Sequence, residues 1–281
     1  MTTRCMLVLL VITPLAWAAP SLPPLFAMDT GTRDAQTKTY AQQAALVKEL
    51  GFSGIGFGGC SNIKEMLAAV DAAGIEFSPL YTGIEVRPNE VTHDPKLEEA
   101  ISQLAGRNAM VWLYVGGRRP QDPGPTDPPV VEKLRALADH AAGSKVRLAL
   151  YPHAGAYADR IEDCVRLARA VERRNLGVTF NLCHWLKVDG TNLETRLKEA
   201  LPHLFVVTIN GADSDGKGWN TLIQPLDRGT FDVTTVLRHL DDLGFKGPIG
   251  LQHYGIRGSA RENLDASMKG WRKLQERLAE N

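Results

Sequence analysis

In VTFNLCHWLKVDG, residues 178–190, an amide and an imidazole stand three residues apart: Asn181 ends an apolar run and His184 follows. A carboxamide donates and accepts hydrogen bonds without charge, so Asn181 is suited to hydroxyl groups and cannot serve as a general base. His184, with an imidazole that titrates near neutrality, is the residue expected to move a proton. Trp185 and Lys187 add an aromatic surface and a cation beside it. Similar groups stand at the ends of other apolar runs: Tyr151 and His153 in LALYPHAG, Thr208 and Asn210 in FVVTINGAD, and Gln252 with Arg257 in GPIGLQHYGIR. Sugars ask for such a set, because hydroxyls need two-way hydrogen-bond partners and the C–H face of the ring needs an aromatic surface. The expected substrate-binding residues are therefore Tyr151, His153, Asn181, Trp185, Lys187, Thr208, Asn210, Gln252 and Arg257, with His184 catalytic. The expected ligand is a small carbohydrate. Lys187 and Arg257 are suited to an anionic group or an enolate, and Asp29 and Glu85 are carboxylates the first half can supply.

His153, His184 and His253 together offer nitrogen ligands for zinc, against the plainer expectation that each bonds a loop. Asp213 and Asp215, in NGADSDGKGW, look like a fragment of a calcium loop. They lack its downstream glutamate, so a solvated turn is expected there.

These residues need a frame that brings distant strand ends together. Short apolar runs alternate with helix-period segments along the chain. Strands are predicted at 25–29, 53–57, 75–81, 109–115, 146–151, 177–181, 204–210 and 248–252. Helices are predicted at 34–50, 63–73, 95–104, 130–142, 161–171, 193–200, 233–243 and 263–278. The strand runs are continuously apolar, the pattern of strands covered on both faces in a parallel sheet. Eight such units predict a single-domain α/β fold, the (β/α)8 TIM barrel, with its active site at the C-terminal ends of the strands. An open doubly wound sheet is the alternative, though no GxGxxG follows a strand to mark its dinucleotide-binding form.

The 281 residues are 44% hydrophobic, enough for one large core, and 32 basic residues balance 32 acidic ones. With no basic stripe, nucleic acid is not an expected partner. Residues 1–18 read as a signal peptide: Arg4, an apolar run from Met6, and Ala16-Trp17-Ala18 as a small-x-small cleavage site. The run is too short to span a bilayer comfortably. The domain at 19–281 is therefore expected to be exported, periplasmic or secreted, with no membrane contact beyond the signal peptide; an uncleaved anchor is the alternative. Cleavage removes Cys5 and leaves Cys60, Cys164 and Cys183. This odd set has no CxxC pair and is expected to be buried apolar side chains, not a disulfide framework.

The segments ELGFSGIGF (49–57), LALYPHAG (148–155), GVTFNLCHW (177–185), FVVTINGAD (205–213) and GPIGLQHYG (247–255) give the chain a likeness to a known family. Over roughly residues 25–275 it resembles the sugar phosphate isomerase/epimerase family, the xylose-isomerase-like TIM barrels. The resemblance implies a divalent metal held by Glu, Asp, His and Glu from strands five to eight. The metal polarises a carbonyl and its neighbouring hydroxyl while carboxylates move a proton between carbons. At the matching positions this chain has Tyr151, Asn181, Thr208 and Gln252, and only His184, which in the family tends to contact substrate, is kept. Hard divalent cations need anionic oxygens to offset their lost water, so no metal and no other cofactor is expected. Two readings follow. One is an exported, carbohydrate-acting isomerase or epimerase-like enzyme working without the family's metal. The other is a catalytically inactive sugar-binding or scaffold protein on the same fold.

Overall fold

The computed structural model describes residues 22–280; the predicted signal peptide lies outside them. β1 (Leu25–Met28) passes through one 3-10 turn to α1 (Tyr40–Leu50). A capping box between Thr39 and Gln42 fixes the start of that helix, which is why it begins later than the predicted residue 34. β2 (Gly54–Gly58) is followed by α2 (Ile63–Ala73), and β3 (Glu76–Arg87) by β4 (Glu90–His93) and α3 (Leu97–Gln103). β5 (Met110–Gly116) precedes α4 (Asp127–Gly143), and β6 (Arg147–Tyr151) precedes α5 (Ile161–Val171). β7 (Leu176–Asn181) runs directly into α6 (Leu182–Val188), with α7 (Leu193–Ala200) behind it. β8 (Leu204–Ile209) leads to α8 (Trp219–Leu222) and α9 (Thr234–Asp242), and β9 (Ile249–Leu251) to the closing α10 (Ala260–Ala279).

Eight of the nine strands form a closed parallel barrel in the order β2, β1, β9, β8, β7, β6, β5, β3, with β3 pairing back onto β2. β4 is extra: it pairs antiparallel with the far end of β3, Ile84 opposite His93, as a hairpin turning at Pro88 and Asn89. The sequence reading stopped this strand at Tyr81 and missed the hairpin. The other predicted strands and helices are present with small shifts at their ends.

Side chains alternate across each strand, so every strand has an outer and an inner set. Outward residues such as Ile55, Val111, Leu148 and Val207 pack against the helices in the main core. Inward residues Phe26, Met28, Met110, Trp112, Ala149, Tyr151 and Val206 form a second cluster inside the barrel. Large rings fit there because glycines face them: a Cβ on Gly250 would overlap the Phe26 ring.

The helical shell carries the buried charge. Asp163 on α5, 2% exposed, receives Arg119 Nε at 2.8 Å and Arg166 Nη1 at 2.6 Å. Burial alone would raise its carboxyl, but the two guanidiniums outweigh burial and hold it below the usual carboxylate value. Cys60, Cys164 and Cys183 are free and buried, as expected. Among the described residues no helix is long and apolar enough to cross a membrane.

Candidate functional site

At the C-terminal end of the barrel the inner cluster gives way to a cavity of about 400 Å³. Its wall is Met28 and Thr30 from the end of β1, Tyr81 from β3, Trp112 from β5, Tyr151 and His153 at the end of β6, His184 on α6, Trp219 and Ile223 around α8, and Gln252 and Tyr254 after β9. None of these eleven side chains is an aspartate, glutamate, lysine or arginine.

Tyr151 sits at the centre of the floor. It is 2% exposed, and its ring stacks on Trp112 with centroids 5.3 Å apart, while the Tyr81 ring meets it edge-on at 5.2 Å. Asn181 Nδ2 donates to its phenolic oxygen at 2.5 Å, and Gln252 Nε2 donates to the same oxygen at 2.8 Å. Both amides are fixed the right way round by the backbone. Asn181 Oδ1 accepts His184 N–H at 3.2 Å, and Gln252 Oε1 accepts His253 N–H at 3.0 Å. Backbone N–H groups can only donate, so each amide must turn its NH2 to Tyr151. Burial, then nearby Cys183 and Tyr81, push the Tyr151 phenol well above its ordinary value, against the Gln252 hydrogen bond that favours ionisation. The phenol stays neutral and keeps its own proton.

Asn181 has a second task, missed in the sequence: it is the N-cap of α6. An extended residue whose side chain accepts the N–H three positions on starts a helix. That helix, absent from the predicted elements, carries His184 to the cavity wall.

The two histidines on that wall differ in which nitrogen holds a proton. His184 Nδ1 accepts the Ala154 amide N–H at 3.2 Å, so a neutral His184 carries its proton on Nε2. His153 Nδ1 lies 3.2 Å from the Ala154 carbonyl, which can only accept, so His153 donates from Nδ1 and leaves Nε2 bare. The rings are 4.2 Å apart, centroid to centroid. Burial, then the neighbouring His153, bring His184 down to about 3. Burial also lowers His153, against the Ala154 carbonyl and Asp159. Both rings are neutral at physiological pH. The expectation of a His184 that titrates near neutrality does not match this burial.

Of the predicted site residues, Tyr151, His153, His184 and Gln252 line the cavity, and Asn181 stands directly behind its floor. Thr208 pairs in register with Asn181 and is fully buried, its hydroxyl without a hydrogen-bond partner among the described residues. It does not join the Tyr151 oxygen. Trp185 belongs to the main core, donating from Nε1 to Thr191 O at 3.1 Å and packing on Phe180 and Phe231. Asn210 is buried too, its NH2 holding Gly211 O and Leu222 O. Arg257 is exposed and outside the cavity, and Lys187 reaches only its outer edge, where its ammonium lies over the Trp219 ring. Trp185, Asn210, Lys187 and Arg257, expected to bind substrate, thus do not line this cavity: position after a strand end does not settle which way a side chain turns. Tyr81 and Tyr254 stand at strand ends visible in the sequence but outside the predicted site list, and Trp112 and Trp219 were not foreseen at all. Trp112 was findable, since it shares strand parity with Met110 and faces inward with it. Trp112 Nε1 is buried without a partner among the described residues.

The metal positions of the family can be tested on this donor set. Tyr151 occupies the centre, the two amide oxygens are spent on backbone N–H groups, and it is the N–H ends of the amides that face inward. An inward face of neutral donors repels a cation, so these residues do not fit a divalent ion. His253 is buried and absent from the cavity wall, and among the described residues no three His, Cys, Asp or Glu side chains are grouped to hold a metal. Asp213 O accepts Gly216 N–H at 3.0 Å in a local turn, while its Oδ1 accepts Thr230 N–H from the segment after α8.

Solved structures share this fold at low identity. The 3-keto-D-glucoside 4-epimerase from E. coli superposes with a TM-score of 0.71 at 16% identity, covering 90% of this chain and 99% of that one. The probable 3-DHS dehydratase involved in petrobactin synthesis from Bacillus anthracis gives 0.71 at 16%, covering 89% and 98%. D-psicose 3-epimerase from Clostridium cellulolyticum H10 gives 0.63 at 15%, covering 91% and 95%. No curated protein matches the chain. The model of the xylose isomerase-like TIM barrel matches residues 44–276, and with the closed eight-stranded parallel barrel this places the chain in that family.

Proposed function

We propose that this protein binds an uncharged sugar or sugar derivative in the cavity at the barrel mouth, and acts on it as an isomerase or epimerase-type enzyme without a divalent metal. The observation that carries the reading is the composition of the wall: aromatic rings and neutral hydrogen-bonding groups, with no ionised side chain. Such a wall stacks on the C–H face of a sugar and hydrogen-bonds its hydroxyls, with the Trp112 indole N–H left over as a donor. Its lining gives a phosphate or carboxylate nothing to pair with, since the Lys187 ammonium is held outside it on Lys217 O, and burying an unpaired charge is costly. The sugar-epimerase neighbours agree with a carbohydrate ligand. Export, read from residues 1–18, agrees with a free sugar and is part of this proposal.

The proton chemistry falls to the histidine pair. His153 Nε2 takes the proton from a carbon next to the sugar's carbonyl, and the C–H electron pair moves to form a C=C bond as the carbonyl oxygen gains the charge. His184 Nε2–H hydrogen-bonds that oxygen. Return of the proton from His153 to the opposite face of the same carbon gives the epimer. For the isomer, the hydroxyl on that carbon passes its proton to the charged oxygen and becomes the new carbonyl as the former carbonyl carbon takes the proton from His153, so nothing is oxidised or reduced overall.

The test has two parts. Neutral aldoses and ketoses are screened by thermal shift, beside the same sugars as phosphates or uronic acids. Any sugar that binds is then incubated with enzyme in D2O and followed by NMR for deuterium next to the carbonyl. Neutral sugars are expected to raise the melting temperature where charged ones do not. Exchange is expected to fall about 100-fold or more in His153→Gln. Preference for the phosphate would overturn the neutral-ligand reading. Binding without exchange would favour the second reading, a sugar-binding protein, which the Tyr151 ring, packed on Trp112 and held by Asn181 inside the barrel, supports on its own.

A further inference from the structure

We infer that the mouth of the cavity is a second sugar subsite, formed by Trp219 and Tyr254, and that the ligand is a glycoside or oligosaccharide whose outer ring rests there. This rests on the sugar-binding reading above and names the substrate class within it. Among the described residues, the exposed large hydrophobic side chains are Trp219, 40% exposed, and Tyr254, 65% exposed. Both border the same cavity. A surface that hides its other large apolar groups, yet leaves these two at one opening, has a binding rim there.

The two rings come from the loops after β8 and β9, strands that are neighbours in the barrel, with Thr208 beside Gly250. Trp219 is pinned. Asn210 holds Leu222 O at 2.7 Å, Gly211 and Gln224 exchange backbone hydrogen bonds, and Asp213 N–H reaches Thr221 O at 2.8 Å. Lys187 Nζ donates to Lys217 O at 2.7 Å and places its charge 5.4 Å from the centre of the Trp219 ring. The indole also meets the His184 ring edge-on at 5.2 Å. Trp219 therefore links the wall, where His184 sits, to the solvent-facing rim. A ring fixed in place binds without first being ordered, which is how an exposed aromatic contributes to affinity. An outer sugar unit suits this rim: its C–H face covers an aromatic ring while its hydroxyls stay in water.

The experiment compares, by calorimetry, each monosaccharide that binds with its methyl glycoside and with disaccharides extended from the same unit. In the wild type a disaccharide is expected to bind about threefold to tenfold more tightly than its monosaccharide. Trp219→Ala and Tyr254→Ala are each expected to bring that ratio toward one, and Tyr254→Phe to preserve it. Because the readout is a ratio within one variant, a general loss of fold or affinity does not imitate the result. A wild-type ratio near one, or a ratio unmoved in both alanine variants, overturns the outer subsite while leaving the inner site intact. Failure of every sugar, long or short, to bind overturns both.

Discussion

Asp163 on the helical shell and Tyr151 at the barrel axis are equally buried, each 2% exposed, yet their surroundings are opposite. Asp163 is an ion held by two guanidiniums, Arg119 and Arg166. Tyr151 is a neutral phenol held by two carboxamides, Asn181 and Gln252. A few residues further round the shell, Asp189 is likewise clasped by Arg160 at 2.6 Å and Arg196 at 2.6 Å, and its carboxyl is held at about 2, by the Arg196 hydrogen bond first. The chain thus has the means to bury charge and uses them outside the barrel wall. Inside, neutrality is built from specific partners: the two amides that hold the phenol are themselves held by backbone N–H groups.

Acid should break that contrast most strongly. In the unfolded chain histidine titrates near 6.5. In the fold, burial brings His253 down to about 4 despite favourable backbone groups at Asn263 and Gly31, and brings His184 down to about 3. Between the unfolded and folded values the unfolded chain binds more protons. Stability is therefore whole above about pH 7 and falls as pH drops from about 6.5 toward 4 and 3, by roughly 3 kcal/mol or more for each ring. Urea midpoints taken at pH 7.5, 5.5 and 4.5 should fall in that order, and His253→Gln should flatten the curve. An unchanged midpoint down to pH 4.5 would mean that the interior tolerates charge.

Next in size comes the pair itself. Asp163→Ala leaves Arg119 and Arg166 without their shared anion and removes the carboxylate that accepts Arg160 N–H at the start of α5, so a loss of about 3 kcal/mol is expected. Tyr151→Phe keeps the ring and its stacking on Trp112 but leaves Asn181 Nδ2 and Gln252 Nε2 without an acceptor. About 2 kcal/mol is expected, less than for Asp163 because Gln252 borders the cavity and water can reach it. Denaturant melts of both variants at pH 7.5 decide the order. A Tyr151→Phe loss larger than that of Asp163→Ala would make the phenol chiefly a structural pin.

The sequence revealed the barrel because its signal is repeated: eight continuously apolar runs, each followed by a helix-period segment, leave little other choice. What it hid were features decided by only a few residues. The β3–β4 hairpin turns on Pro88 and Asn89, and α6 begins because the side chain of Asn181 bends back to its own backbone. The site was legible where a strand carries a polar residue to the mouth at inward parity, as for Tyr151 and Gln252. Parity would also have found Trp112. It could not have found Trp219, on the single-turn helix α8, or Tyr254, beyond the end of β9, where no strand period applies, nor shown that Trp185 turns into the core while its neighbour His184 turns to the cavity.

Arg257 sharpens the comparison at its small end. Its position just after the last strand made it a candidate anion partner, and a guanidinium reaching into the cavity would undo the neutral wall. Instead it is exposed, stands outside the cavity, and its backbone carbonyl accepts Asn263 Nδ2 at 3.0 Å. That hydrogen bond survives any change of side chain. Arg257→Ala should therefore shift stability by less than about 0.5 kcal/mol and leave the affinity for a neutral sugar within about twofold. Calorimetry at low and at physiological salt gives the decisive reading, since a distant exposed cation acts on a ligand only through a field that salt screens. A salt-independent loss of affinity in Arg257→Ala would bring the guanidinium into direct contact with the ligand, and the wall would no longer be free of charge.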